Sequence, residues 1–470
     1  MLKQLSIRVL KFFLAGHGMS GRMGKYFLLA VLVGVLTGFV TVGFYWMIGL
    51  AKTLVETGCA HAFVSTLSTP QATKALWTRS ALLDPGRWIL VFLPALGAVL
   101  GSLLLRRFAR VEHARGTDSA VRAFHRGESI PRTVIPVKSV ASVLTVGFGG
   151  SAGYEGPVTL LGAACGSVVN RWFHLSPRES RILMAAGLGA GIAALFRAPL
   201  AGAIFGSEIF YSSSDIEADT IMPSVVASVM SYTVFAACFG WDPLFAMSEQ
   251  NLFAFQNGLR LLPYLLLALV VVFGARLYIS VFRGAERWFA ARPWPVWVRV
   301  GLGGLLVGLI GFAVPDVLGS SYSTIAAAFG GDGLYAHAGT ATLLGFLAFF
   351  LLKCVATALT VGSGGSGGVF APALACGGAL GAATGLFCQQ VLPASVGIHP
   401  ASFALVGMAA FMASAIRVPL TAVVMVAEIS GNHQLLVPTM WVCGIAFWLN
   451  NGWSLYRSQV HSRASSPLHS

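Results

Sequence analysis

The sequence predicts an all-α polytopic membrane protein, and three observations carry the prediction. Of its 470 residues, 56% are hydrophobic and only 10% charged, where a soluble domain carries about a quarter charged. Its long apolar runs lack the roughly ten-residue alternating segments of a membrane β-barrel. Glycine occupies 55 positions, and small residues let helices approach closely in a bilayer. A soluble globular enzyme and a disordered chain are excluded by the same figures, as is the mean hydropathy of +0.77 for either class.

The elements follow in order. Residues 1–25 hold Lys3, Arg8, Lys11, Arg22 and Lys25. They read as a cytoplasmic N-terminal arm, because no separate apolar core ends at a cleavage site. Residues 26–50 form the first apolar run, long enough to span. A polar segment, 51–87, contains Pro70 and Pro85 and is followed by a run at 88–105. A basic loop at 106–132 comes next. Residues 133–210 are almost continuously apolar but broken by Gly and Pro. Further runs lie at 220–240, 261–282, 297–314, 341–359, 369–392, 402–428 and 435–449. Some are too short and others too long for one straight crossing. They predict tilted, broken and re-entrant helices, which a membrane tolerates where the broken backbone lines a buried site. The expected organisation is one transmembrane domain over 26–457, with repeat halves at about 88–240 and 297–450, and a short cytoplasmic tail at 458–470 without a regulatory domain.

The net charge is +14, from 31 Lys and Arg against 17 Asp and Glu. The charge is dispersed over loops and ends, including Arg106, Arg107, Arg110, Arg115, Arg122, Arg126 and Arg132. That distribution reads as topology and contact with membrane lipid, not as a nucleic-acid surface. The seven cysteines form no CxxC pair and mostly sit in apolar runs, so they read as packing residues.

The strongest signal is an internal repeat. Lys138–Pro157 (KSVASVLTVGFGGSAGYEGP) and Lys353–Pro372 (KCVATALTVGSGGSGGVFAP) match at 12 of 20 positions without a gap. Gly187–Glu208 likewise resembles Gly407–Glu428, with Arg197, Pro199, Leu200 and Glu208 matching Arg417, Pro419, Leu420 and Glu428. Paired Gly- and Pro-interrupted segments in corresponding positions place a substrate site at the repeat interface.

The chemistry of those segments is that of an anion site. Pro157 and Pro372 suit the first turn of a helix. Such a helix presents free N–H groups and the positive end of its dipole. Two starts facing one point would hold an anion without a full positive charge that binds too firmly to release it. One such start is expected near Gly156 and the other around Val369, Phe370 and Ala371. A dinucleotide fingerprint is the competing reading of the glycines, and it needs a parallel-sheet context absent here.

Glu155 is an acid within an apolar stretch, which costs about 2.5–3.5 kcal/mol on insertion scales. At a helix start aimed at an anion site, its carboxylate can occupy that site and leave it on protonation. Structural capping is the plainer alternative. The repeat position of Glu155 is Phe370, so symmetry does not demand an acid. Glu208 and Glu428 are symmetric and favour a structural role. Tyr456, just after the last run, reads on its own as an interfacial aromatic.

Together these motifs resemble the CLC family of chloride channels and proton-coupled chloride exchangers, over about residues 26–460. GYEGP at Gly153–Pro157 is similar to the family's GREGP, GGVFAP at Gly367–Pro372 to its GxFxP, and Leu455-Tyr456 to its closing tyrosine segment. The resemblance is nearest to the bacterial ClcB-like branch, named for chloride channels. It implies a CLC-type inverted repeat, a homodimer with one pore per subunit, a bacterial inner membrane, and chloride as transported ligand with no cofactor. It makes Glu155 the external gate and proton carrier, and Val369, Phe370 and the Tyr456 hydroxyl the donors to a central anion. The family's GSGIP serine segment is best matched by Gly116–Ala120, with Thr117 supplying the hydroxyl and Asp118 beside it. Tyr154 replaces the arginine before the gate. Many exchangers carry an internal proton-transfer glutamate just after the position of Glu208; here that residue is Ile209.

The expectation is therefore an anion transport protein, leaning to a voltage- or proton-gated chloride channel. A proton-coupled chloride antiporter is the first alternative and a fluoride-selective member the second. A membrane-embedded enzyme would need a nucleophile–base pair or a metal-ligand cluster, and the sequence holds no HExxH, paired histidine ligands or P-loop.

Overall fold

The computed structural model describes residues 19–59, 85–108, 116–245, 258–322, 340–393 and 396–467. Among them the chain is helical throughout: α1 (Met19–Cys59), α2 (Pro85–Phe108), α3 (Thr117–Arg126), α4 (Val134–Gly147), α5 (Glu155–Phe173), α6 (Pro177–Phe196), α7 (Pro199–Glu208), α8 (Ala218–Phe239), α9 (Leu262–Ala290), α10 (Val296–Ala313), α11 (Thr340–Gly362), α12 (Phe370–Val391), α13 (Pro400–Ala415), α14 (Pro419–Ser430) and α15 (Leu436–Leu449). Eight of these are long and apolar enough to cross a membrane.

Local chemistry sets the breaks. Proline opens α6, α7, α13 and α14, where its missing N–H costs nothing. Ser176 and Glu179 add a capping box at the start of α6. Arg197 and Arg417 end α6 and the turn after α13 in the left-handed region, at φ 54° and 68°. Their guanidinium groups donate to backbone carbonyls that hold these turns, Arg197 to Phe239 and Asp242, Arg417 to Ser212 and Phe447.

Several boundaries differ from those the sequence suggested. Residues 19–25 are the first turns of α1, and α1 continues to Cys59 past the end of the first apolar run. The basic loop contains α3, a helix with most of its residues buried. The run 402–428 is two helices, divided at Arg417 and Val418. The last described residues, 450–467, fold back on the helices. Ser212 N–H donates to the Val460 carbonyl at 2.9 Å and His125 meets Ser466 at 3.0 Å. Residues 1–18 and 60–84 of the expected arm and polar segment lie outside the described residues.

The two halves are related by an approximate two-fold axis, and individual hydrogen bonds trace it. Gly153 and Gly368, equivalent in the repeat, pair antiparallel with both N–H···O distances 2.8 Å. Ser142 bonds Ser366 at 2.9 Å, and the equivalent pair, Thr357 and Ser151, lie 3.3 Å apart. Glu208 of the first half accepts the Leu420 and Thr421 N–H groups at 2.8 Å each, capping α14. Glu428 of the second half accepts those of Leu200 and Ala201 at 3.0 and 2.8 Å, capping α7. Each half thus satisfies exposed helix donors of the other, and both glutamates are structural caps.

Packing repeats as well. A Cβ on Gly162 or Gly187 would collide with the other's carbonyl, so α5 and α6 touch backbone to backbone there. Gly377 and Gly407 do the same for α12 and α13, a Cβ on either falling 2.5 Å from the other's carbonyl oxygen. Cys165, Cys354, Cys376, Cys388 and Cys443 are buried free thiols and Cys238 is exposed.

Candidate functional site

The site forms where the two repeats meet. After α4 and α11 the chain makes the same turn, with Gly149 and Gly364 at φ 97° and 110°, which a side chain rarely adopts. The Gly153–Gly368 pair then brings the starts of α5 and α12 together. Their approach is limited by backbone: a Cβ on Gly156 would lie 2.6 Å from the Gly368 Cα. Two positive helix ends therefore face one point, as the sequence predicted.

Glu155 occupies that point. Its side chain is fully buried. Oε2 accepts the backbone N–H of Ala371, in the first turn of α12, at 3.2 Å. Oε1 accepts the hydroxyl of Tyr322. The carboxylate of one half thus sits on the helix start of the other. Lys353, also buried, is a further titratable group beside it. Phe370, its repeat counterpart, instead packs against Phe196 and Phe205, with ring centroids 5.4 and 5.7 Å away.

Thr117, Gly156, Val369 and Tyr456 line one cavity of about 230 Å³. Glu155 and Phe370 lie outside its wall. Thr117 is placed by a 2.8 Å hydrogen bond to Thr159, whose hydroxyl donates to the Gly156 carbonyl at 2.8 Å. Tyr278 donates to the Val369 carbonyl at 3.2 Å and fixes that peptide. Tyr456 is positioned by the returning chain. Leu455 N–H donates to the Ala415 carbonyl at 2.8 Å and Ser458 N–H to Asp118 at 2.9 Å. Gln459 Nε2 donates to the Ile209 and Ile416 carbonyls at 2.9 and 3.0 Å. The Tyr456 hydroxyl faces Thr117, yet it is buried without a hydrogen bond of good geometry to the described residues. A buried hydroxyl without a partner is costly, and an anion in the cavity would supply one.

Arg106, Arg299 and Arg457 lie at the same cavity, with Arg457 paired to Glu286 at 2.6 Å. A second, polar cavity of about 400 Å³ is lined by Arg283, Arg287 and Arg457 and shares Tyr456 with the first. These arginines give the approach to Tyr456 a positive field. Ile209 caps the end of α7 and is fully buried, its carbonyl engaged by Gln459.

Sequence reasoning missed Tyr322 and Tyr278, and gave Lys353 no part in the site. Lys353 was visible as a repeat position. Its Nζ donates to the Val317 and Gly319 carbonyls at 2.9 and 2.7 Å, holding the segment that leads to Tyr322. Nothing periodic marks Tyr322, which reaches Glu155 only through tertiary folding.

Known proteins share both sequence and fold with this chain. The family model described as voltage gated chloride channel matches residues 97–451. A protein of Ralstonia nicotianae named as ClcB-like, for a chloride channel, is 32% identical over 362 residues, covering 76% of this chain and 81% of the relative. The H(+)/Cl(-) exchange transporter ClcA of Yersinia pestis is 34% identical over 372 residues, covering 76% and 73%. That of Salmonella arizonae is 30% identical over 430 residues, covering 88% and 83%. In fold, the chain is similar to a CLC-type fluoride/proton antiporter, with TM-score 0.76, 22% identity, and 95% of this chain and 100% of that chain covered. It is equally similar to a slow cyanobacterial Cl-/H+ antiporter, with TM-score 0.76, 22% identity, and 92% and 96% covered.

Proposed function

The chain belongs to the voltage-gated chloride channel family, whose members transport anions across membranes, and from that premise we propose that it is a proton-coupled chloride antiporter of a bacterial inner membrane. The observation that carries the reading is the Glu155 carboxylate on the Ala371 N–H, where it competes with chloride for the same helix start. Protonation neutralises the carboxylate, frees the site and carries a proton with it. Chloride then bonds the backbone donors at Gly156, Val369 and Phe370 and the hydroxyls of Thr117 and Tyr456. The reading needs no cofactor. Two relatives at 30% and 34% identity are named as exchangers, which supports coupling.

Inward of the gate the proton needs another carrier. Glu208 is held by three donors, the Leu420 and Thr421 N–H groups and the Thr421 hydroxyl, and is not free to shuttle. Ile209 has no proton to give. Asp118 and Glu286, which line the cavity beside Tyr456, are the acids available there.

Ile209 also favours a second reading, a gated chloride channel in which Glu155 protonation opens the path without stoichiometric coupling. Reconstitution in voltage-clamped liposomes, with chloride and pH recorded together, separates the two. Chloride-driven uphill proton movement establishes exchange, and chloride flux without it establishes the channel. A fluoride electrode in the same assay tests fluoride selectivity. Homodimer formation, implied by the family, is checked by cross-linking in the bilayer.

A further inference from the structure

The Glu155 carboxylate has two hydrogen-bond donors of different kinds. Ala371 belongs to the helix start that an anion would use. Tyr322 does not; it comes from the segment after α10, remote from both repeats of the Gly-rich motif. We propose that Tyr322 is a positioning residue that latches Glu155 in its anion-blocking place, so that its hydroxyl sets the acidity at which transport switches on. The inference rests on the gating reading of Glu155.

The half-buried Tyr322 is held by its ring and by the segment that carries it. The Tyr322 ring packs edge-on against Phe196 and Phe245, with centroids 6.3 and 5.9 Å away. Phe245 is itself tied to α14 through its N–H on the Ile429 carbonyl at 2.8 Å. The segment leading to Tyr322 turns through Gly319 and Ser321, at φ 62° and 60°. The left-handed state is uncommon for serine, and here it is fixed by Lys353 on two carbonyls and by the Ser321 hydroxyl on the Asp316 carbonyl at 2.7 Å. A phenylalanine would fill the same space. What tyrosine adds is one hydroxyl donor, aimed at the Glu155 carboxylate.

A donor to each oxygen selects the ionised carboxylate. Both bonds are stronger to the carboxylate than to the neutral acid, so they hold the carboxyl ionised to lower pH. The other titratable groups that act on Glu155 are Tyr154, Tyr456 and Lys353. Replacing the Tyr322 hydroxyl leaves all three in place, so its effect is read directly in the pH profile.

The test is chloride efflux from liposomes over a series of external pH values. Tyr322→Phe is expected to move half-activation upward by about one pH unit, the size expected for losing a hydrogen bond to a charged group. In the Glu155→Gln background the same substitution is expected to change nothing. An unmoved profile, or an equal change in that background, overturns the latch. Persistence of wild-type pH dependence in Glu155→Gln alone defeats the gating reading itself, whatever Tyr322→Phe does. Fluorotyrosine at 322, a stronger donor of the same shape, is expected to shift half-activation downward; an upward shift or none overturns the proposal. Calorimetry reads the same competition without flux: at alkaline pH, Tyr322→Phe is expected to bind chloride more tightly than the wild type, and equal affinity overturns it.

Discussion

The start of α5 and the start of α12 come from the same repeated motif and meet across the same glycine pair. One carries Glu155 at its first helical position and the other Phe370. The common part, two helix ends facing each other, makes a place for negative charge. The difference decides what the place does. Glu155 crosses to the opposite helix start and fills it, whereas Phe370 turns into an aromatic cluster with Phe196 and Phe205. A repeated scaffold is thus made asymmetric by one residue: a buried carboxylate stands on one side and an aromatic cluster on the other.

Making the halves alike is the most severe way to break this comparison. Phe370→Glu places a second carboxylate beside the first in an apolar setting, costing about 3 kcal/mol, and chloride flux is expected to fall about a hundredfold. Phe370→Tyr is the shape control and keeps flux; efflux assays on both decide. The converse change, Glu155→Gln, removes the charge from the first half. In the native protein flux is expected to rise about tenfold per unit as pH falls through the gate's titration range. The variant is expected to conduct at all pH values with a flat profile and no proton coupling.

The caps give a subtler comparison between halves. Glu208 takes three hydrogen bonds and is buried, while Glu428 takes two at a more open site. Glu208→Gln is expected to cost about 2 kcal/mol and Glu428→Gln about 1 kcal/mol. Thermal unfolding in detergent ranks them, and the reverse order would remove the structural account of the caps. The smallest effect is expected for Tyr456→Phe. Losing one neutral donor weakens chloride binding about fivefold, read by calorimetry, and unchanged affinity would remove Tyr456 from the anion site.

The two helix starts were legible because their signal is local. Five glycines, a following proline and a gapless repeat fix both the turn and the helix that leaves it. The structural role of Glu208 and Glu428 was legible because both halves carry it. The short helix α3 was not, since its residues are largely polar and lie in a basic stretch, and its one apolar face, Ala120, Val121, Ala123 and Phe124, spans little more than a turn. What buries it is contact with α5 and with the returning chain near Ser458. The division of 402–428 was written in Arg417-Val418-Pro419, but unbroken hydropathy masked it. Tyr322 had no local signal. Its role follows from Lys353 drawing a loop against the gate, a contact between residues far apart in sequence.

The returning segment around Tyr456 also bears on how the protein is made. Translation delivers Thr117, Glu155 and Val369 long before Tyr456, which follows α15. A nascent chain halted before residue 450 holds both helix starts but lacks the wall opposite them. Docking of Leu455 on Ala415 and of Ser458 on Asp118 then adds Tyr456 to the cavity wall. The wall of this cavity is therefore completed only after α15 has been made.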